Sequence, residues 1–328
     1  RLYGFNMLKS TLKSLYASQL KYNVILYDKI NNDMKKIILK SLLWLLAKLP
    51  LPAIRALGAG VGLLSLRLSN KSAKRLPHNL LVTGLSTPET VEQMTRDTAK
   101  ALGMTLAEAA LIAWQKDRAR ITRLFEVDES FYAVKALLEA GKNIVFLTPH
   151  IGNFEVAVKY FAYHLPMNIQ ILYKPSKDPV IEEIMVSGRS EVNITPVPTN
   201  RKGVLSMMKH LKSGGCLGIL PDNVASGGDG EWVKFFGQDV YATSLAAKIC
   251  QQPDTIAVIV QNLRTKTGFK SKCVPFKPSN GDTHDIMQEL YGEIEKLVRA
   301  APEQYYWSYD RFRQPDKAKP KPQAENRA

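Results

Sequence analysis

The stretch Asn143-Ile-Val-Phe-Leu-Thr-Pro-His150-Ile-Gly-Asn-Phe-Glu155 decides the fold. Ile144 to Leu147 is a short apolar run suited to a covered strand, Thr148-Pro149 stops it, and Gly152-Asn153 opens a helical pattern from Phe154 to Tyr163. The turn between strand and helix carries a histidine and a carboxylate. Inside one α-helix, five positions would set the two about 140° and roughly 7.5 Å apart, too far for one to orient the other. His150 therefore belongs to the turn and Glu155 to the first helical turn. From there the carboxylate is expected to reach one ring nitrogen and leave the other to take a proton from a substrate. The backbone N–H groups of the turn are expected to point at any developing negative charge.

Outward from this unit, strand and helix alternate. Strands over 143–148, 168–173, 193–197, 215–220 and 255–260 are separated by helices over 153–164, 178–188, 201–213 and 242–250. The pattern predicts an α/β fold, a mostly parallel central sheet flanked by helices, with an N-terminal helical membrane-associating segment. Residues 267–278 read as a further strand or hairpin and 284–300 as a helix. Ligands of open sheets bind beyond the carboxyl ends of the strands. His150, Lys174-Pro175 and Asp222 each follow a predicted strand, so three positions converge on one rim. Upstream, a helix runs from about Thr87 to Trp114, with Ser86 or Thr87 as its cap, and a second covers 130–140 with Gly141 as its stop. Ser226 to Gly230 reads as a flexible loop placed to close over a substrate.

At 328 residues and 45% hydrophobic, the chain can bury a full core. Residues 1–80 hold fourteen Lys or Arg against Asp28 and Asp33, and so supply +12 of the formal +15. There the basic residues punctuate apolar runs such as Ile37-Ile38-Leu39 and Leu42 to Ala47, a pattern for membrane lipids of anionic character. Nucleic acid, the rival partner for a basic segment, is not expected, because the lysines punctuate long apolar runs and no zinc-finger, RRM or basic-zipper pattern is present. Lys40, Lys48, Pro50, Pro52 and Arg55 interrupt the apolar stretch, which favours two linked interfacial helices and leaves a tilted single pass open. No small-x-small cleavage site promptly follows Met34-Lys35-Lys36, so a signal peptide is not expected. Cys216, Cys250 and Cys273 have neither pairing nor metal spacing. The organisation read from this is an extension over 1–33, membrane-associating helices over 34–70, a helical segment over 71–140 that opens with a basic, Pro-containing connector at Lys71 to Asn79, an α/β core over 141–315, and a disordered Lys/Pro tail over 316–328.

His150 and Glu155 match the His-x4-Asp/Glu motif of glycerolipid acyltransferases, and the sequence resembles the bacterial lipid A late acyltransferases from about Lys35 to Pro315. Tyr173-Lys174-Pro175, Gly188-Arg189, Ile219-Leu-Pro-Asp222-Asn223, Phe235-Phe236-Gly237 and Gln304-Tyr-Tyr-Trp307-Ser-Tyr-Asp-Arg311-Phe312 follow in the same order. The family usually has Tyr-Arg-Pro and Asp-Gln where this chain has Lys174 and Asn223, and Lys does not replace Arg in bidentate phosphate recognition. The resemblance implies acyl transfer from acyl carrier protein to a hydroxyl of a lipid A precursor at the cytoplasmic face of the inner membrane, with acyl carrier protein as the co-substrate's carrier and no further cofactor. It assigns His150 and Glu155 to catalysis. Arg189, Asp222, Lys174, Asn223, Gly152 and Asn153 are the substrate-binding candidates, and no metal site is expected.

The residues agree with that chemistry. No Gly-x-Ser-x-Gly elbow exists and no cysteine accompanies a histidine motif, so direct transfer with His150 as base is expected rather than an acyl-enzyme. There is no His-Glu-x-x-His helix for a zinc hydrolase. Arg201-Lys202 and the Lys209, Lys212 pair form a solvated helix face or, less expectedly, a landing patch for acidic carrier protein. The alternatives are acylation of another glycolipid or a glycerol phosphate, a thioester hydrolase, and a non-catalytic lipid-binding protein.

Overall fold

The computed structural model describes residues 31–190 and 193–321, except the side chains of 112 and 113. Residues 1–30, most of the extension read at 1–33, and 322–328 of the tail lie outside it. A seven-stranded sheet forms the centre: β1 (Phe125–Val127), β2 (Asn143–Leu147), β3 (Ile169–Tyr173), β4 (Ile194–Pro198), β5 (Cys216–Ile219), β8 (Thr255–Arg264) and β9 (Phe269–Phe276). Its order is β1-β9-β8-β2-β5-β3-β4, and the five strands from β8 to β4 are parallel. β9 turns back antiparallel on β8, and short β1 joins its outer edge. A separate hairpin pairs β6 (Gly230–Phe235) with β7 (Gln238–Thr243).

β2 lies mid-sheet and supplies both layers of core. Successive side chains of a strand point to opposite faces. Val145 and Leu147 join Met207 and Leu211 of α9 (Arg201–Lys212), Ala247 of α10 (Leu245–Cys250) and Ile294 of α11 (Thr283–Ala300). Ile144 and Phe146 meet Phe131 of α6 (Glu129–Glu139) and Phe161 of α7 (Phe154–His164). A strand covered on both sides has no polar face, which is why its sequence reads as an unbroken apolar run.

Of the N-terminal helices, α1 (helical through the described residues 31–48) leads into α2 (Leu51–Leu68), and α2 packs on α4 (Val91–Trp114). Contact between α2 and α4 is at backbone distance: a Cβ on Gly62 would lie 2.0 Å from the Ala99 carbonyl oxygen, and one on Gly103 2.0 Å from that of Gly58. The opposite faces stay uncovered, with Ile37, Ile38, Leu42 and Leu45 of α1 and Leu57, Leu64 and Leu68 of α2 exposed. α2 alone among the described helices is apolar and long enough, over 18 residues, to be a candidate membrane span. Part of the basic charge is used inside the fold. Lys35 pairs with Asp178 and Lys36 and Lys40 with Glu183, on or beside α8 (Pro179–Arg189), and Arg75 bonds Asp310.

Several expectations need correction. Lys71 to Asn79 is no connector: it lies within helix α3 (Asn70–Val82), which carries Pro77 internally and is capped by Ser69. The helix expected from Thr87 begins at Val91, after a turn over 87–90, and neither Ser86 nor Thr87 is its cap; Thr90 is. The helix read at 242–250 is shorter because Gln238–Thr243 is the second strand of the hairpin. Nor does Ser226 to Gly230 hang free. The Tyr241 hydroxyl donates to the Gly228 carbonyl at 2.6 Å and accepts from Gly230 N–H, while Arg313 donates to Ser226. The tail begins later than 316, since residues 317–321 strap the hairpin: Trp232 Nε1 donates to the Lys319 carbonyl at 2.7 Å and Lys319 pairs with Glu231.

Candidate active site

β2 and β5 are parallel neighbours, so the turns leaving their carboxyl ends lie side by side. His150 leaves one and Asp222 the other. Asp222 Oδ1 lies 2.8 Å from His150 Nδ1, and Oδ2 accepts the His150 backbone N–H at 3.1 Å. The Tyr305 hydroxyl donates to Oδ2 at 2.8 Å, the Arg311 guanidinium lies 3.3 Å from the same oxygen, and Arg311 also donates to the Asp222 carbonyl. Asp222 is fully buried. Burial would push its carboxyl up, but electrostatic interaction with His150 and Arg311 and the hydrogen bonds from His150 and Tyr305 outweigh that and hold it well below the usual carboxylate range. The partner of the imidazole is therefore Asp222, not Glu155 as expected.

Glu155 faces the other way. Arg189 grips it bidentately, Nε to Oε2 at 2.8 Å and Nη2 to Oε1. The reason is helical geometry: one turn beyond His150, the Glu155 side chain points toward the C-terminal end of α8 rather than back over the turn. Burial lowers the Arg189 proton affinity, yet the Glu155 charge reverses this and raises it. Arg189 is thus committed to a protein carboxylate.

The turn itself is closed to the role expected of its backbone. Its amides already donate: His150 to Asp222, Ile151 to the Pro149 carbonyl, Gly152 to the Gln304 carbonyl at 2.9 Å and Asn153 to the Asn262 carbonyl at 3.1 Å. Phe154 and Glu155 open α7, and the first helical N–H groups have no intrahelical acceptor. Gly152 has φ 62°, and a Cβ there would fall 1.8 Å from the Asn262 carbonyl oxygen. Asn153 is fully buried; its Oδ1 caps α7 at Val156 N–H and its Nδ2 donates to Glu108 at 2.8 Å. Asn153 consequently positions the helix and is inaccessible to substrate.

Lys174 is exposed at the end of β3, two strands from β2. Asn223 turns its amide back to the Leu220 carbonyl. Neither lines the cavity at His150.

That cavity is a cleft of about 500 Å³ between α2, α4 and the C-terminal segment. Val61, Leu66, Leu76, Leu102 and Leu106 make it apolar, with Gly152, Thr105, Gln304 and Tyr306 near His150. Nδ1 is occupied by Asp222, and Nε2 has no hydrogen-bond partner among the described residues. Phe154 packs edge-on against the ring at 5.1 Å, and Tyr306 stacks on it at 5.9 Å.

Two positions that contact Asp222 escaped the sequence reading. Tyr305 and Arg311 sat in a recognised motif without a job. Both are buried beneath the site, because 304–311 crosses the rim with Tyr305 bridged to Ile151 and Tyr306 N–H donating to the His150 carbonyl. The three cysteines are free and buried, and desolvation pushes the thiols of Cys250 and Cys273 up to about 12. They stay protonated and unreactive. Among the described residues only Asp282, His284 and Asp285 group as metal ligands do. The two carboxylates already form the capping box of α11.

A strand-exit histidine held by a buried carboxylate and opening on an apolar cleft suits acyl transfer, and the sequence relatives show that class of enzyme. The chain belongs to the bacterial lipid A biosynthesis acyltransferase family, whose model matches residues 34–314. It is 28% identical over 280 residues to the lipid A biosynthesis lauroyltransferase of Escherichia coli K12, covering 83% of this chain and 89% of that one. It is 22% identical over 276 residues to the palmitoleoyltransferase of the same organism, covering 83% and 88%. A lipid A biosynthesis acyltransferase of Haemophilus influenzae is 23% identical over 172 residues, about half of each chain (51% and 52%).

Proposed function

We propose that the protein moves a fatty acyl group from the thioester of acyl carrier protein to a hydroxyl of a lipid A precursor, with His150 as general base. The observation that carries this reading is the 2.8 Å contact of His150 Nδ1 with buried Asp222, which fixes the tautomer whose Nε2 accepts a proton. The acceptor hydroxyl gives its proton to Nε2 while its oxygen attacks the thioester carbonyl. Collapse of the tetrahedral adduct breaks the C–S bond, and the departing thiolate takes the proton from the imidazolium. A thiol of pKa about 8.5 leaves readily, so the base on the hydroxyl is the principal catalytic demand. With the turn amides occupied, the first N–H groups of α7 are the donors for the oxyanion. Glu155 acts through Arg189, holding that first helical turn in place. The transferred chain lies in the apolar cleft.

The uncovered apolar faces of α1 and α2 support attachment to a membrane surface, and the proposed use of acyl carrier protein would put that surface on the cytoplasmic side of the inner membrane. An interfacial position fits better than a crossing, because α2 is packed at backbone distance on α4 and buries Ile54 and Arg55.

Labelled acyl groups of mixed length on acyl carrier protein, offered with a lipid A precursor lacking secondary chains, test the proposal. Transfer that needs both acceptor and His150 supports it, and product masses name the chain. Acyl release without acceptor at an equal rate identifies a thioesterase instead. No transfer by folded, detergent-solubilised enzyme refutes it.

A further inference from the structure

α3 has two working flanks. Ser72 and Leu76 line the cleft at His150, whereas Lys71, Lys74, Arg75 and His78 line a second, open groove of about 350 Å³. The far wall of this groove is the C-terminal segment, with Asp310, Phe312 and Arg313. On a helix, positions 71, 74, 75 and 78 share one face, and Ser72 and Leu76 flank it. Groove and cleft are therefore adjacent across the width of one helix, and Ser308, on the cleft wall, accepts from Arg75 through its carbonyl at 3.3 Å.

The charge balance is one-sided. Asp310 is the only acid among the described residues lining the groove and is already bound by Arg75 at 2.7 Å. Lys71 and Lys74 are exposed, and neither has a carboxylate partner among the described residues. This contrasts with Lys35, Lys36 and Lys40, each paired with an acid of the α8 region. The groove also begins where the apolar surface stops: Leu68, at the end of α2, is 76% exposed, and Lys71 follows three residues later. A lipid with its hydrocarbon against α2 would hold its polar head at this level.

We propose that this groove is a phosphate-binding site for the acyl acceptor, with Lys71, Lys74 and Arg313 holding a phosphate of a phosphorylated lipid whose hydroxyl is presented to His150 across α3. It rests on the reading of the cleft as the place of acyl transfer. The site gives the acceptor a fixed point beside the apolar cleft, so that one hydroxyl rather than any reaches Nε2. Lysine ammonium groups recognise phosphate as point charges, and arginine adds directional N–H donors.

The test is Lys71→Ala/Lys74→Ala in the full-length, detergent-solubilised protein, with Lys266→Ala/Lys270→Ala as a control that removes equal charge from a distant surface. KM is measured for a phosphorylated acceptor and for the same lipid after enzymatic removal of phosphate. A rise of at least fivefold for the phosphorylated acceptor alone, absent in the control, is the expected result. An equal rise for the dephosphorylated lipid, or no rise for either, overturns the proposal. A rise in KM for the carrier-protein donor assigns the groove to that protein and overturns it too. Sedimentation with zwitterionic vesicles, with and without anionic phospholipid, supplies a further arm: loss of vesicle binding with acceptor KM intact assigns the groove to bilayer headgroups. Were neither acceptor acylated by the parent enzyme, the reaction would be wrong, and equilibrium binding of the two lipids would decide the site separately. Tighter binding of the phosphorylated lipid, abolished by the double substitution, upholds the site, and equal binding removes it.

Discussion

Asp222→Asn separates the observed partner of His150 from the expected one. The substitution keeps the shape and removes the charge, and the structure dictates which way the amide must sit. Two donors converge on Oδ2, the His150 backbone N–H and the Tyr305 hydroxyl, and the Arg311 guanidinium lies 3.3 Å from it as an ion pair. Only His150 Nδ1 faces Oδ1. The asparagine oxygen must take the Oδ2 position, which turns its NH2 toward Nδ1. Nδ1 then accepts, the neutral ring carries its proton on Nε2, and the base is disabled without a change in packing. A fixed wrong tautomer lowers turnover by roughly 10⁴ in other histidine-based sites, and a loss of that order is expected in acyl transfer from acyl carrier protein. Stability falls as well, because Arg311 is left buried without its counter-ion; breaking such a pair costs about 3–5 kcal/mol, and the retained carbonyl oxygen keeps the loss toward the lower end. The pH dependence has a definite sign. The Asp222 carboxyl titrates below its unfolded value, so its contribution is complete above the ordinary carboxylate range of about 4 and fades as the pH drops through the lower folded value. Acid unfolding of Asp222→Asn is therefore shallower than that of the parent below about pH 4. An Asp222→Asn enzyme within tenfold of the parent, beside a Glu155→Gln enzyme reduced a thousandfold, would refute the assignment and return the orienting role to Glu155.

Tyr305→Phe removes one hydroxyl donor from the Asp222 carboxylate and should cost about 1.5–3 kcal/mol in urea unfolding, with a smaller loss of turnover than Asp222→Asn. Gly152→Ala places a methyl against the Asn262 carbonyl at a φ of 62°, and should lower both the melting temperature and kcat; parent-like values for both would show that the turn is not held as described. Glu108→Gln leaves Arg55 and Arg264 without their shared anion, and about 3–5 kcal/mol of stability should go with it, as read in denaturant unfolding.

The sheet was legible because its central strands are covered on both faces and therefore read as plain apolar runs between helices of regular period. The hairpin was not: Gly230 to Thr243 mixes Glu231, Lys234, Gln238 and Asp239 with buried Trp232, Phe235 and Tyr241, and its buried set is defined by helix α11 and the strap at 317–321. Helix α3 was hidden by Pro77 together with Asn70, Ser72, His78 and Asn79, residues of low helical preference, until Leu76, Asn79 and Leu80 find the core. At the site, the place of His150 followed from spacing alone. The identity of its partner did not, because Asp222 lies 72 residues away and its approach depends on the adjacency of β2 and β5. Sequence proximity favoured Glu155, and helix direction overruled it.

The buried ions around Glu108 explain how surface helices and the reacting turn behave as one body. Glu108, on α4, accepts from Arg55 of α2 at 2.7 Å, from Arg264 of β8 at 2.8 Å and from Asn153, the cap of α7, at 2.8 Å. Arg264 also donates to the Gly152 carbonyl at 3.3 Å, and Arg55 to the Gly268 carbonyl at 2.7 Å. Desolvation lowers the Arg264 proton affinity despite the adjacent Glu108, so the cluster is not there for cheap stability; apolar replacements of such groups are often neutral or better. What it supplies is direction. Apolar packing would let α2 slide along its glycine face on α4, whereas three donors on one carboxylate admit a single register of α2, β8 and the cap of α7. The exposed apolar surface of α2 and the His150 turn are thereby held in a fixed relation. A lipid lying against the one is consequently presented to the other at constant depth.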